Sequence, residues 1–205
     1  MNAERKTKYE FLFAVFLLLV FVAISSLRTS PDTYKQILKT IQGSQTETAP
    51  ISPNTVETAF SPYGGATDLI VKAIESARET IRVASYTFSS RPIANALIAA
   101  HAAGIDVAIL VDHSQISPRS LSLIPMMAKK GILIRADIDH AIQHNKYMVI
   151  DHKTVETGSF NYTASAENNN AENVLVIWNS PSLAETYEEE WMNLWEKAAP
   201  YKEAR

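Results

Sequence analysis

The sequence of 205 residues contains no cysteine and carries no excess of positive charge, with a formal net charge of −3. The absence of cysteine excludes disulfides, zinc fingers and thiol catalysis, and it is neutral about the redox compartment. Without a positive net charge, the surface as a whole does not attract nucleic acid, so a polyanion would need a local cationic cleft. The length suits one compact domain with a real core rather than two.

Long apolar runs are also scarce, and the one that stands out covers residues 11–24 near the amino terminus. Arg5, Lys6 and Lys8 precede it. A basic flank before such a run is typical of an export signal or a membrane anchor whose basic end stays in the cytoplasm. The run is shorter than the ~20 residues of a comfortable membrane span, so a cleaved signal peptide and a retained transmembrane anchor both stay open. Either one places the rest of the chain outside the cytoplasm, periplasmic or anchored to the inner membrane.

The remaining chain divides by composition. We expect a signal or anchor over residues 1–27, a linker over 28–54, a catalytic domain over 55–200 and a short tail over 201–205. Within the domain, the apolar periodicity predicts strands at 56–60, 80–88, 105–111, 132–138, 146–150, 154–157 and 173–178, and helices at 67–78, 92–103, 121–130 and 181–198. The polar run at 167–170 is interpreted as a loop.

This alternation of strands and helices predicts an α/β fold. We expect a mixed, largely parallel sheet with helices on both faces, preceded by the hydrophobic N-terminal segment. The strands at 146–150 and 154–157 are close enough in sequence to form a hairpin. The last helix carries an apolar stripe, interpreted as core packing, formed by Leu183, Tyr187, Trp191 and Leu194.

One segment carries the chemistry. It has the pattern H-x-K-x4-D-x6-G-S-x-N, formed by His144, Lys146, Asp151, Gly158, Ser159 and Asn161. This pattern resembles the signature of the phospholipase D superfamily at every fixed position and every spacing. The surrounding sequence is similar to the small bacterial Nuc-type endonucleases, and the similarity extends over about residues 55–200. The resemblance implies the phospholipase D/nuclease fold and a phosphodiesterase.

The spacing within the motif has a physical meaning of its own. Residues two apart in a strand share a face, so His144 and Lys146 point together into one site. Asp151 is an odd number of residues away from both, so a regular strand sends it to the opposite face. We therefore predict that Asp151 is a buried polar anchor rather than a catalytic group.

The second half of the motif follows the same logic. Gly158 allows a close approach of the backbone to a ligand, and Ser159 and Asn161 share a face. We expect Ser159 to contact phosphate or support a group that does, with a turn-forming serine as the rival interpretation. The motif contains no paired carboxylates of the kind that a magnesium site needs, so we expect neither a metal nor another cofactor.

The resemblance implies a two-step displacement. His144 attacks phosphorus and forms a phosphohistidine, and a second histidine protonates the leaving oxygen. Lys146 and Asn161 stabilise the charge of the transition state on the non-bridging oxygens. Glu172 matches the acidic residue that, in the family, orients the catalytic imidazole; an ordinary solvated carboxylate is the alternative.

The chain contains one such motif. The other histidines are His101, His113, His140 and His152, and none of them is followed two residues later by lysine. The mechanism needs two histidines, so the resemblance implies a homodimer with a shared active site. Four further residues are left open between lining a substrate cleft and packing or carrying solvated charge: Tyr86, Phe88, Arg91 and Arg135.

The predicted function is a metal-independent, non-specific endonuclease that cleaves DNA or RNA. A phospholipase D acting on phospholipid head groups is the alternative, and an inactive membrane-tethered binding module is a third hypothesis. The intact motif argues against the third. The similarity to Nuc-type endonucleases and the lack of a long insertion to admit two acyl chains favour the nuclease.

Overall fold

A computed structural model describes residues 55–116 and 121–202 of the chain. The predicted signal or anchor over 1–27 and the linker over 28–54 lie outside these described residues. In the described part of the chain, no helix is long and apolar enough to cross a membrane.

The described strands form one sheet of eight, in the order β1-β7-β6-β5-β2-β3-β4-β8. The strands are β1 Thr55–Ser61, β2 Thr80–Ser85, β3 Asp106–Asp112, β4 Leu133–Asp137, β5 Lys146–Ile150, β6 Thr154–Gly158, β7 Glu172–Trp178 and β8 Ala199–Pro200. All seven predicted strands are present, and the expected hairpin joins β5 to β6. The two-residue strand β8 was not predicted.

The sheet is mixed, as expected, but the prediction that it is largely parallel is wrong. Only the pairings β2–β3 and β3–β4 are parallel, and the other five are antiparallel. The reason is the length of the connections. Helices join β2, β3 and β4, and a helical crossover is needed to return a chain parallel to itself. The short connection between β5 and β6 permits only antiparallel pairing, and β5 itself lies antiparallel beside β2.

Five helices lie in the described residues: α1 Ala66–Glu75, α2 Arg91–Ala102, α3 Ile124–Lys129, α4 Ala164–Asn168 and α5 Pro181–Lys197. The helix α4 corrects the interpretation of residues 167–170 as a loop, because it reaches Asn168. Its start is stabilised by Thr163, whose hydroxyl oxygen accepts the N–H of Ala166 at 3.0 Å. Glu167 on this helix accepts both the backbone N–H and the hydroxyl of Thr67 on α1, at 2.9 and 2.6 Å.

Helices cover both faces of the sheet, as predicted. Buried side chains of α1, α2 and α3, such as Ile70, Leu97 and Met127, pack with one face, and α5 packs on the other. The apolar stripe of α5 is half confirmed, since Trp191 and Leu194 are buried while Leu183 and Tyr187 are only half-buried. Trp191 fixes the helix further by donating its indole N–H to the carbonyl of Val83 on β2 at 2.9 Å.

The topology brings the motif to one edge of the sheet. The parallel strands β2, β3 and β4 end there, at Ser85, Asp112 and Asp137, and in the register Ser85 pairs with Val111 and Asp112 with Asp137. Because β5 is antiparallel to β2, it begins at this edge, with Lys146 opposite Ser85. The strand β6 then runs back to end here, and β7 starts here again at Glu172. We call this end of the sheet the motif edge.

Candidate active site

An open cavity of about 720 Å³ lies at the motif edge, between the strands β5, β6 and β7 and the helix α5. Its lining brings together the predicted site residues except Asp151, namely His144, Lys146, Gly158, Ser159, Asn161 and Glu172. The sequence did not indicate that α5 supplies a wall, to which Tyr187 and Glu190 contribute. In sequence, Tyr187 belongs to the apolar stripe, and the stripe does not reveal which of its members reaches a cavity.

His144 and Lys146 come from the start of β5 and its preceding residues. The imidazole of His144 is exposed, whereas Lys146 is buried and 8% exposed. The Lys146 ammonium donates a hydrogen bond to the His144 carbonyl at 2.6 Å. Burial lowers the pKa of Lys146 below its usual value, and the negative charge of Glu172 opposes that shift. The cavity thus holds a nitrogen base beside a partly desolvated cation.

Ser159 and Glu172 form a hydrogen-bonded group on the next two strands. The Ser159 hydroxyl donates to the Glu172 carboxylate at 2.5 Å, and the Asn170 amide donates to its other oxygen at 3.0 Å. The Ser159 oxygen in turn accepts the backbone and side-chain N–H groups of Asn173, at 3.1 and 3.2 Å. Among the described residues, Glu172 makes no hydrogen bond to His144. The structure therefore brings Glu172 to Ser159 rather than to the imidazole.

Gly158 and Asn161 flank this group. A Cβ at Gly158 would lie 2.2 Å from the carbonyl oxygen of Asn173. The tight approach expected at Gly158 is thus an approach to the neighbouring strand β7, and a larger residue would push β6 and β7 apart. Asn161 lines the cavity, and its side-chain oxygen is buried without a hydrogen-bond partner in the described part of the chain. A buried polar atom without a partner is costly and is found most often where a ligand or water completes the site.

Asp151 lies at the opposite end of β5, away from the cavity. Its carboxylate accepts the backbone N–H groups of Arg78, Glu79 and Thr80, at 2.9, 2.8 and 3.1 Å. Burial alone would raise the pKa of this carboxyl, but the three N–H donors outweigh it and the pKa is lowered. These contacts hold the segment between α1 and β2 against the end of β5.

The other histidines lie elsewhere, and none of them lines the cavity formed by the described residues. His140 contacts Asp137 at 2.8 Å and His152 contacts Glu188 at 2.6 Å, while His113 lies in the short helical turn after β3 and His101 lies on α2.

The sequence left four residues undecided between lining a substrate cleft and packing or carrying solvated charge, and the structure places them in different environments. Phe88 is fully buried in the core against Tyr162, and Arg135 packs over the ring of Trp195 at 4.9 Å. Arg91 is exposed at the start of α2. Tyr86 instead contacts the motif, since its ring lies 4.8 Å from that of His144. Within residues 55–116 and 121–202, no group of three or more acidic or histidine side chains is placed to hold a metal ion.

The mixed sheet gathers a histidine, a lysine and an asparagine, which are His144, Lys146 and Asn161, in the lining of one cavity. This arrangement agrees with the phospholipase D resemblance of the sequence motif. Comparisons with known proteins agree. The family model described as "Cardiolipin synthase, PLD-like domain" matches residues 70–195, so the chain belongs to the phospholipase D-like family of phosphodiester hydrolases.

Individual relatives and solved structures carry different names within this family. The chain is 36% identical over 181 residues to a protein named phospholipase D from Rickettsia conorii, covering 84% of this chain and 88% of that protein. It is 31% identical to the mitochondrial cardiolipin hydrolase of Mus musculus, over 65% of this chain and 59% of that protein. Among solved structures, Nuc from Salmonella typhimurium, a phospholipase D family member, superposes with a TM-score of 0.69 at 41% identity, over 73% of this chain and 99% of Nuc.

Proposed function

We propose that this protein is a metal-independent endonuclease that cleaves DNA or RNA through a phosphohistidine intermediate. The observation that carries the proposal is the convergence of His144, Lys146 and Asn161 on one open cavity. The choice of nucleic acid rests on the similarity to Nuc, which at 41% identity spans almost the whole of that protein.

The proposed reaction has two steps. A neutral ring nitrogen of His144 attacks phosphorus, the bond from phosphorus to the leaving oxygen breaks, and a second histidine gives that oxygen a proton. A water molecule then attacks the phosphohistidine, loses its proton to the second histidine, and releases a phosphomonoester and free His144. Lys146 and the Asn161 amide are placed to stabilise the non-bridging oxygens. The Ser159 hydroxyl can donate to phosphate only after it releases Glu172, to which it is bound.

The second histidine would come from a second copy of the chain, because His144 is the only histidine among the described residues that line the cavity. Exposed apolar residues of β1 support a surface for that copy. Val56 and Phe60 on β1 pair with Ile177 and Asn173 on β7, so they share the sheet face on which α5 packs. They remain 50% and 61% exposed. A two-fold axis next to this apolar strip would bring two motif edges together.

A phospholipase D activity is the second candidate, and one observation favours it. Among the described residues, this end of the sheet carries exposed apolar side chains. Tyr63, Leu121, Ile138 and Ile142 are between 54% and 92% exposed and follow or precede the strands that end there. Such side chains suit the surface of a lipid aggregate better than a polyanion. The name of the Rickettsia conorii relative points the same way.

One side-by-side assay tests both. Purified protein is incubated with supercoiled plasmid, with RNA and with phosphatidylcholine vesicles, each with and without millimolar EDTA. We expect nicking of plasmid or degradation of RNA that persists in EDTA, because the site offers nitrogen bases and amides rather than a carboxylate cluster. Release of choline with intact nucleic acid would replace the first candidate by the second. Loss of all cleavage in EDTA with rescue by magnesium would contradict the mechanism, and His144→Ala controls for contaminating enzymes.

A further inference from the structure

Tyr86 contacts both leading residues of the motif without lining the cavity of the described chain. It follows β2 directly, and the last residue of that strand, Ser85, pairs with Lys146. The centre of its ring lies 4.8 Å from the centre of the His144 imidazole, with the two planes inclined by 50°. The Lys146 ammonium lies 5.4 Å from the centre of the same ring. One aromatic side chain is therefore packed against the proposed nucleophile and the proposed cation at once.

Each contact supplies something that the site otherwise lacks. The face of an aromatic ring attracts a cation, and Lys146 is only 8% exposed. Burial disfavours the charged form of Lys146, whereas a ring face beside the ammonium favours that form. His144 is exposed, and no hydrogen bond to its ring is found within the described residues. Packing against Tyr86 restricts the orientations of an imidazole that must meet phosphorus in line.

We propose that Tyr86 is a positioning residue of this site, whose ring orients the His144 imidazole and holds the Lys146 ammonium at the cavity. The role rests on the proposed phosphodiesterase function. It belongs to the ring rather than to the hydroxyl, because the Tyr86 hydroxyl makes no hydrogen bond among the described residues. Phenylalanine should therefore replace tyrosine, and leucine should not.

The first test is kinetic and uses the full chain with bis(p-nitrophenyl) phosphate, a small phosphodiester that is indifferent to the choice between nucleic acid and lipid. We expect Tyr86→Phe to stay within a factor of about three of the parent kcat. Tyr86→Leu should lower kcat by about tenfold or more with little change in KM. The fall of kcat at high pH should begin at a lower pH in Tyr86→Leu than in the parent, because loss of the ring lowers the pKa of Lys146 further. Tyr201→Leu, a tyrosine that packs against the core away from the cavity, is the matched control and should keep the parent profile.

The second test does not depend on turnover. The aromatic ring shifts the resonances of the His144 imidazole, which are identified as those missing from the spectrum of His144→Ala. They should move in Tyr86→Leu and stay in Tyr86→Phe. If the parent enzyme cleaves the phosphodiester and Tyr86→Leu has the same kcat and pH profile, the positioning role of Tyr86 is wrong. The proposed phosphodiesterase function would be unaffected by that result. If Tyr86→Phe were as damaged as Tyr86→Leu, the hydroxyl would carry the effect and the ring would not. A parent protein that cleaves no phosphodiester would overturn the proposed function, and with it any catalytic role of Tyr86, even where the resonances move as expected.

Discussion

The two ends of β5 carry polar side chains under opposite conditions. At the motif edge, the imidazole of His144 is exposed and makes no hydrogen bond in the described structure, and the buried Lys146 has a single hydrogen-bond acceptor, the His144 carbonyl. At the far end, Asp151 accepts three backbone N–H groups. A saturated polar group stabilises the fold and has no capacity left for a ligand, whereas groups with free donors and acceptors do. One five-residue strand thus separates a site from a structural anchor.

We call the end of β5 with His144 and Lys146 the site end, and the end with Asp151 the anchor end. His144→Ala should abolish the function of the site end and leave the anchor end intact. We expect cleavage to fall on the order of 10⁴-fold, because the substitution removes the nucleophile and, in a shared site, also the acid. The melting temperature should barely change, since the imidazole is exposed and supports no hydrogen bond from its ring. His113→Ala removes an imidazole outside the cavity and should leave both quantities unchanged. Equal losses in the two variants would show that the motif histidine has no special role.

Asp151→Ala should break the anchor end alone. Three backbone N–H groups lose their acceptor, so we expect unfolding to become easier by about 3 kcal/mol. Activity per folded molecule should remain close to that of the parent. The pKa of Asp151 is lowered in the fold, so its contribution is present above the unfolded pKa and is lost as the pH falls through the folded value. Urea unfolding at pH 7 and pH 3 measures both points. A variant with normal stability and no activity would contradict the separation of the two ends.

Glu156 on β6 has an environment unlike either end of β5, because its carboxyl is buried and has a single hydrogen bond. The Tyr162 hydroxyl donates to it at 2.6 Å, and burial raises its pKa to about 8. A raised pKa means that the folded state binds the proton more tightly. The contribution to stability is complete below the unfolded pKa and is lost as the pH rises through about 8.

Glu156→Gln should remove this pH dependence while keeping the shape and the acceptor for Tyr162. Between pH 6.0 and pH 7.5 we expect the variant to gain about 2 kcal/mol relative to the parent, from about 1.4 kcal/mol for each pH unit. The measurement is the free energy of unfolding in urea at the two pH values. A constant difference between variant and parent would show that Glu156 is already ionised in the fold, in contrast to its burial.

Strand alternation predicts Asp151 on the opposite face from His144 and Lys146. The structure separates them along the strand instead, because Asp151 lies one residue beyond the end of β5 with a positive φ of 49°. The contact of Glu172 with Ser159 could not be predicted, since it depends on how β6 and β7 are paired and on a short helix between them. The alternation of strands and helices predicts a mixed, largely parallel sheet, but that alternation holds only up to β4. The contacts of Tyr86 also needed the fold, since they depend on β2 lying beside β5.

The last prediction tests whether a single chain holds a complete active site or whether two chains share it. If each chain supplies one of two histidines, a mixed dimer of parent and His144→Ala has one histidine for a task that needs two. Activity in co-refolded mixtures should then follow the square of the parent fraction, because only parent pairs work. At an equal mixture about a quarter of the activity should remain, against about half for chains that each hold a complete site, given random pairing about a closed two-fold.

The subunits must exchange for this experiment, so the mixture starts from unfolded or co-expressed chains. The anchor end provides the matched control, because Asp151→Asn chains carry an intact His144. Mixing parent with Asp151→Asn should give a straight line between the two pure activities, whether the site is shared or not. A straight line for the His144→Ala mixtures as well would refute the shared site. The missing acid would then have to be sought within the chain, starting from His113 and His140, which lie beyond the strands that end at the motif edge.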